Sequence, residues 1–373
     1  MKTVAVLFGG KSYEHEISIL TGVFVLNVLD PTKYKIVPVY IHTDGKLYTS
    51  EGMKALRVFQ EKDWKDFQEI FFYDGGMYAL NKKKNKMKLL EKPDVALNCC
   101  HGGLGEGGGL SALMEWHGIP LASPDMTVSG IFMDKVMTKW VLKGLNIPTL
   151  DFIRVNEADY QKRGAFLLKR IESRLKYPVI IKPAHLGSSI GITIARNEEE
   201  VKKALSSAFA LDDGVLIEKY LPHKQDVNCA AYMRGGEICV SEPERAFGEG
   251  VYSFEEKYVK RKKNEGGFFR KGGGRYAVNA ELREKIRAYT KTIYKRMNLR
   301  GVVRIDFLIE ENKVYVCEVN TVPGSLAYYL FCERISDART FFSDLIEESL
   351  QAVNKERVYF SGGILSQVTL SAK

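Results

Sequence analysis

Hydrophobic positions along this chain recur with two periods. Residues 3–8 form a continuous apolar run, the pattern of a strand covered on both faces, and Gly9-Gly10 ends it. A helix is predicted after Ser12, with Ile17, Leu20, Phe24 and Val28 on its apolar side and Val23 beside them. Residues 35–41 and 94–99 repeat the strand pattern. This alternation predicts a doubly wound parallel sheet, in which ligands bind beyond the carboxyl ends of the strands. Two glycine-bearing segments fall at such ends, residues 9–16 and 101–109. The second opens a helix over 110–116. It either offers backbone amides to an anion or is a plain connector.

From about residue 123 the pattern changes. Residues 133–142 read as a basic amphipathic helix whose methionines and Trp140 are expected in the core. Residues 179–182 read as a buried strand ending in Lys182. The loop Gly187-Ser-Ser-Ile-Gly191, a short strand at 192–194, a Glu/Lys-rich helix at 197–208 and a strand at 215–221 follow. Mostly antiparallel strands are predicted from residue 228, then a helix over 280–297. The last pair of strands, 302–309 and 314–320, flanks the polar turn 310–313. Residues two apart on a strand share a face. Arg304 and Asp306 should therefore oppose Val303, Ile305 and Phe307, and Glu318 and Asn320 should oppose Tyr315, Cys317 and Val319. Paired as a hairpin, the polar faces would gather two carboxylates, an amide oxygen and a guanidinium. That oxygen set suits Mg²⁺; the plainer alternative is a surface hairpin with ordinary charges. The Gly/Ser loop exposes N–H groups that can cradle phosphate, although it lacks the Gly-Lys-Ser/Thr of a Walker A loop. With Lys182 at the strand end and the hairpin downstream, it reads as a nucleotide site.

A chain of 373 residues is long enough for two or three domains. Its apolar and charged fractions are those of a soluble globular protein. The run at residues 1–8 is too short for a secretory signal. No stretch approaches the roughly 18 apolar residues of a membrane span. Cys99, Cys100, Cys229, Cys239, Cys317 and Cys332 form no Cys-x-x-Cys pair, and reduced thiols in a cytoplasmic protein are expected. The net charge of +9 is local, because residues 257–275 carry eight Lys/Arg and one Glu. The rest of the chain is nearly balanced, unlike a general nucleic-acid binder. This glycine-rich basic loop reads as a lid over a polyphosphate, as a nucleic-acid loop stacking bases on Phe268 and Phe269, or as a merely solvated charge run.

Taken together, the motifs resemble the ATP-grasp ligases and, within them, the D-alanine–D-alanine ligase family. The resemblance spans most of the chain. It rests on Gly9-Gly-x-Ser-x-Glu14-x-Glu-Ile-Ser18, His101-Gly-x-x-Gly-Glu106, Met133-Asp-Lys135-x-x-Thr-Lys139 and Lys182-Pro-Ala-x-x-Gly-Ser-Ser189-x-Gly. Glu218-Lys-Tyr-Leu221, Tyr252-x-Phe-x-x-Lys257-Tyr258, Arg304-Ile-Asp306 and Glu318-Val-Asn320-Thr-x-Pro-Gly324 complete it. It implies an α/β, three-domain ATP-grasp fold with an N-terminal doubly wound parallel sheet, divided at 1–122, 123–218 and 219–373. The implied activity joins two D-alanines through an acyl phosphate for peptidoglycan precursor synthesis.

The resemblance also implies residue roles. Lys135 and Lys182 would bind the α- and β-phosphates of ATP, with Ser189 in the phosphate loop and Lys257 on the γ-phosphate. Glu218, Tyr220 and Leu221 would line the adenine pocket and Asp226 would hold the ribose. Asp306, Glu318 and Asn320 would hold two Mg²⁺ ions, with Mn²⁺ as a substitute. Glu14 would take the first amino acid's ammonium within a Glu14–Ser188–Tyr258 hydrogen-bonded set. Arg304 and the backbone at Gly324 would stabilise the tetrahedral intermediate. The expected partners are small-molecule substrates, with neither nucleic acid nor membrane, and a homodimer is the expected assembly.

Two departures stand out. Gly107 replaces the aspartate of the family's Gly-Glu-Asp-Gly. The family follows Asn-Thr-x-Pro-Gly with Met/Phe-Thr-x-x-Ser, whose serine receives the second substrate's carboxylate; here Tyr329 stands in its place. This opens the alternative of a different second amino acid. A catalytically silent nucleotide-binding relative is a further alternative, opposed by the intact set of charged residues.

Overall fold

The apolar runs become the strands of three sheets in a computed structural model that describes residues 1–81, 86–245 and 278–353. The first sheet contains β1 (Lys2–Gly9), β2 (Tyr34–Ile41), β3 (Leu47–Thr49), β4 (Gln68–Tyr73), β5 (Gly76–Asn81), β6 (Lys86–Glu91), β7 (Val95–Asn98) and β8 (Leu121–Ala122). Their spatial order is β6-β5-β4-β3-β2-β1-β7-β8. β2, β1, β7 and β8 run parallel, as the sequence pattern predicts. β3 to β6 extend the sheet with antiparallel strands that the pattern did not announce. The edge strand β6 has no buried residue and so lacks the alternation that marks a strand.

The helix His15–Val28 packs on β1, but the expected apolar side is only part of what it covers. Its buried face carries Ile19, Val25 and Leu26. Ile17, Leu20 and Phe24 are only partly buried, and Phe24 meets Tyr328 at 4.8 Å between ring centroids. The helix is apolar on two sides because it sits between the sheet and a C-terminal segment.

The second sheet is antiparallel and comprises β9 (Phe152–Asn156), β10 (Val179–Pro183), β11 (Thr193–Ala195) and β12 (Gly214–Lys219). Helices Glu157–Leu175 and Glu198–Phe209 bury Leu168, Ile171, Val201 and Leu205 against it. The third sheet is built from β13 (Gln225–Arg234), β14 (Glu237–Val240), β15 (Glu244–Arg245), β16 (Val303–Glu310) and β17 (Lys313–Asn320). Its core takes Ile286 and Ile293 from the helix Ala280–Arg296. It also takes Val128, Phe132 and Leu142 from helices that precede the second sheet in the chain.

Two local details correct the sequence reading. The stretch 133–142 is not one helix: Met126–Met133 ends and Lys135–Gly144 begins at Asp134, which is extended. The Asp134 carboxylate accepts from the N–H groups of Val136 and Met137 at 2.7 and 3.1 Å, capping the second helix. Met137 and Trp140, expected in the core, are 43% and 47% exposed, while Lys139 is 0% exposed.

The second correction concerns the terminal hairpin. Asp306 pairs with Glu318, but Phe307 pairs with Val316, so Cys317 is an extra residue on β17. Such a bulge reverses the alternation beyond it. Val314, Val316 and Val319 are buried with Phe307. Tyr315 and Cys317 turn instead to the other face, beside Leu308.

Candidate active site

The loops after β1, β7 and β10 meet the polar face of the β16–β17 hairpin in one cleft. Glu14, Ser188, Lys135, Arg304, Glu318 and Gly324 all line it. Glu14 is the residue before the helix His15–Val28, and its carboxylate accepts a hydrogen bond from the Ser188 hydroxyl. The same carboxylate is wedged against Gly187, where a Cβ would lie 2.6 Å from Glu14 Oε2. A side chain there would displace the Glu14 carboxylate from its seat.

Next to Glu14, the His101 imidazole is buried, with Nδ1 2.7 Å from the Val322 carbonyl and Nε2 2.8 Å from Thr21 Oγ1. Burial holds it below the ordinary histidine range, partly offset by that carbonyl. Glu106 bridges two segments: it accepts from Gly102 N at 2.8 Å and from Val322 N at 3.3 Å. Burial, and then the charge of Glu14, push its carboxyl up to about 7. At Gly107, a Cβ would lie 2.9 Å from the Gly103 carbonyl oxygen. The φ of −75° is open to any residue, so the family's aspartate would need only a local shift of this turn.

The side where the nucleotide is expected centres on Glu218. One carboxylate oxygen is 2.7 Å from Lys182 Nζ and the other is 2.6 Å from Lys139 Nζ. Glu218 and Lys139 are both 0% exposed, and Lys182 is 7% exposed. Burial opposes ionisation of Glu218, yet Lys139 and then Lys182 hold it down at about 2. Burial likewise opposes the charged form of Lys182, but the Cys317 sulfur and the Glu218 carboxylate keep it above the usual lysine range. Lys135 donates from Nζ to the Leu186 carbonyl at the base of the Gly/Ser loop. Within that loop Ser188 and Ser189 have φ of +50° and +61°.

Leu221 packs with Leu150 and Leu308, and Tyr315 and Cys317 pack against this group. These five residues make one small apolar patch. Asp226 lies directly opposite Leu308 across the β13–β16 pair and so shares its face. Tyr220 bonds the Pro178 carbonyl through its backbone N–H and is not part of the patch.

On the hairpin, Arg304 grips Asp306 with two bonds, Nε to Oδ1 at 2.7 Å and Nη2 to Oδ2 at 2.8 Å. Asn320 Nδ2 donates to Asp306 Oδ2 at 3.2 Å. Burial raises the Asp306 carboxyl; Arg304 opposes the rise and neighbouring Glu318 adds to it. Two crowded carboxylates beside an amide oxygen fit a hard divalent cation, whose charge would relieve their repulsion. Arg304 Nη1 also donates toward the Tyr329 hydroxyl at 3.5 Å. Tyr329 belongs to the turn Gly324–Leu330, where Ser325, Leu326 and Ala327 have φ near +50°.

Lys257, Tyr258 and the basic loop with Phe268 and Phe269 lie outside the described residues. Lys139, Glu106, Leu150, Leu308 and Tyr315 were not assigned to the site from sequence. Lys139 and Glu106 stand inside the quoted motifs, which was the available signal. Of the apolar patch only Leu221 carried a motif signal; Leu150, Leu308 and Tyr315 had none, because the patch joins three separated segments.

Comparison with known proteins gives the family. Family models described as the D-ala D-ala ligase N-terminus and C-terminus match residues 3–124 and 141–351. A D-alanine–D-alanine ligase of Thermosipho africanus is 36% identical over 337 residues, covering 89% of this chain and 88% of that protein. One from Caldicellulosiruptor bescii is 33% identical over 366 residues, covering 95% and 96%. The crystal structure of the Helicobacter pylori enzyme superposes with a TM-score of 0.75 at 29% identity, covering 94% of this chain and 99% of that one. Matching models over both halves, relatives above 30% identity along nearly the whole length, and a shared architecture lead to one conclusion: the chain belongs to the D-alanine–D-alanine ligase family.

Proposed function

We propose that this chain is an ATP-dependent ligase that joins two D-alanines through an acyl phosphate, supplying the dipeptide for peptidoglycan precursors. Membership of the family supports the reaction. The observation that carries it is the convergence in one cleft of the Glu14–Ser188 pair, Lys135, Arg304, Glu318 and Asn320, with Asp306 bonded to Arg304 and Asn320.

In this reading Glu14 receives the ammonium of the first D-alanine, and Ser188 holds the Glu14 carboxylate in place. The substrate carboxylate attacks the γ-phosphorus of ATP, forming the acyl phosphate and releasing ADP. Lys135 and Lys182 neutralise the phosphates, with Lys182 beside the apolar patch that takes adenine. Mg²⁺ held by Asp306, Glu318 and Asn320 would supply charge neutralisation on the phosphoryl group, a role Mn²⁺ can fill. The amine of the second D-alanine then attacks the acyl carbon. Arg304 and the backbone at Gly324 face the oxyanion that forms, and phosphate leaves as the peptide bond closes. Lys257 and Tyr258 take the roles that the family resemblance implies. The proposed setting is cytoplasmic and the proposed assembly a homodimer; among the described residues no helix is long and apolar enough to cross a membrane.

Purified protein with ATP, Mg²⁺ and D-alanine should release ADP and phosphate and form a dipeptide. An absence of amino-acid-dependent ADP release across a panel of D- and L-amino acids overturns the reading. A second reading keeps the mechanism and changes the second amino acid. It is favoured by Tyr329, whose hydroxyl approaches the guanidinium expected to face that substrate.

A further inference from the structure

Lys139 is the cation of the nucleotide side that no ligand can reach. Its side chain is 0% exposed, and its Nζ lies 2.6 Å from Glu218 Oε1 and 3.3 Å from the Val316 carbonyl. Glu218 holds Lys182 with its other oxygen at 2.7 Å. The three side chains form a chain in which one carboxylate bridges two ammonium groups. Only Lys182 retains any exposure, 8% of its side chain.

We propose that Lys139 is a positioning residue for the nucleotide site, neutralising Glu218 so that Lys182 keeps a net positive charge for a phosphate group. The charges decide the argument. With both lysines present, the triad carries +1. With Lys139 absent, Glu218 and Lys182 form a neutral buried pair, and a phosphate approaching Lys182 meets the full repulsion of the carboxylate. A mainly structural role explains the geometry less well. A buried ion pair stabilises a fold weakly and is often replaced by apolar residues without loss. Lys139 shares the buried side of its helix with Val136, Thr138 and Leu142. The same triad accounts for a lysine on the buried side of this helix, opposite the exposed Met137 and Trp140.

The inference rests on the reading of this site as the nucleotide site. The test is calorimetric binding of adenosine, ADP and ATP to the full-length wild type, Lys139→Met, Glu218→Gln and the double variant. The readout is the ratio of ADP to adenosine affinity, which cancels any change in the adenine patch. That ratio should fall about tenfold in Lys139→Met, the size of one lost unit charge partly screened at close range. It should return toward wild type in the double variant, where the triad again carries +1. Equal losses for adenosine and ADP, an unchanged ratio, or no recovery in the double variant overturn the proposal and leave the site reading intact. Wild type that binds none of the three nucleosides and nucleotides overturns the site reading and this inference with it. Should Lys139→Met fail to fold, the double variant compared with Glu218→Gln gives the same decision. Removing Lys139 must then lower the ratio about tenfold again, and an equal ratio in the two refutes the charge argument.

Discussion

Replacing Tyr329 tests how this chain handles its second substrate. The Tyr329 hydroxyl sits 3.5 Å from Arg304 Nη1, at the outer limit of a hydrogen bond. A well-formed bond to a charged group is worth about 1.5–3 kcal/mol, and at this length only a fraction remains. Arg304 keeps its two bonds to Asp306 at 2.7 and 2.8 Å, so it stays in place without the phenol. Tyr329→Phe should therefore change the second-site KM less than about fivefold, which is about 1 kcal/mol. Tyr329→Ser removes the ring and leaves a short hydroxyl at the position where relatives receive the second carboxylate. If that carboxylate regains a charge-assisted bond, the KM for the second D-alanine falls by about ten- to a hundredfold. The first half-reaction should not move, because Glu14 and Ser188 lie on other elements. The assay is steady-state ADP release over a wide D-alanine range, with positional isotope exchange in ATP reporting acyl phosphate formation separately. Melting temperature serves as a control, since the ring packs partly into the core beside Tyr328. An unchanged second-site KM in Tyr329→Ser, with wild type already saturating at low D-alanine, refutes the placement of Tyr329 against the substrate.

Other perturbations follow from the same geometry. Asp306→Asn or Glu318→Gln should remove nearly all turnover with a folded protein retained; near-normal activity at limiting Mg²⁺ would refute the metal assignment. Gly187→Ala forces a methyl to 2.6 Å from Glu14 Oε2. The first-site KM should rise by about tenfold or more, as expected for loss of a charge-assisted contact, and an unchanged KM counts against Glu14 as the ammonium acceptor. His185 is held up at about 10, first by its bond to Asp134 and then by Asp212. Its folded pKa lies above the unfolded value, so its stabilisation is complete below about pH 6.5 and disappears as pH rises through about 10. The side chain is 47% exposed, so screening reduces the effect to roughly 1 kcal/mol. The stability difference between wild type and His185→Gln should shrink across that window in denaturant titrations, and a flat difference from pH 7 to 10 contradicts the ion pairing.

Much of this protein was determined locally by its sequence. The parallel strands, the turn after β1 and the polar face of Arg304 and Asp306 follow from period-two and continuous apolar patterns, which depend only on neighbours along the chain. The Glu14, Lys182 and Gly187-Ser188 segments are equally legible, because a loop at a strand end must show its polar groups somewhere. Tertiary structure alone decided the rest. The bulge at Cys317 exists only relative to β16, yet it moves Tyr315 and Cys317 from the expected core to the face that carries Leu308. The burial of Lys139 depends on a carboxylate 79 positions away in the chain, at Glu218; no helical period distinguishes a lysine that meets such a partner from one that meets water. The patch of Leu150, Leu221 and Leu308 likewise joins three segments whose proximity is a property of the packed sheets. Local pattern specifies which way a side chain points from its own element, whereas burial and pairing are set by what the fold brings opposite it.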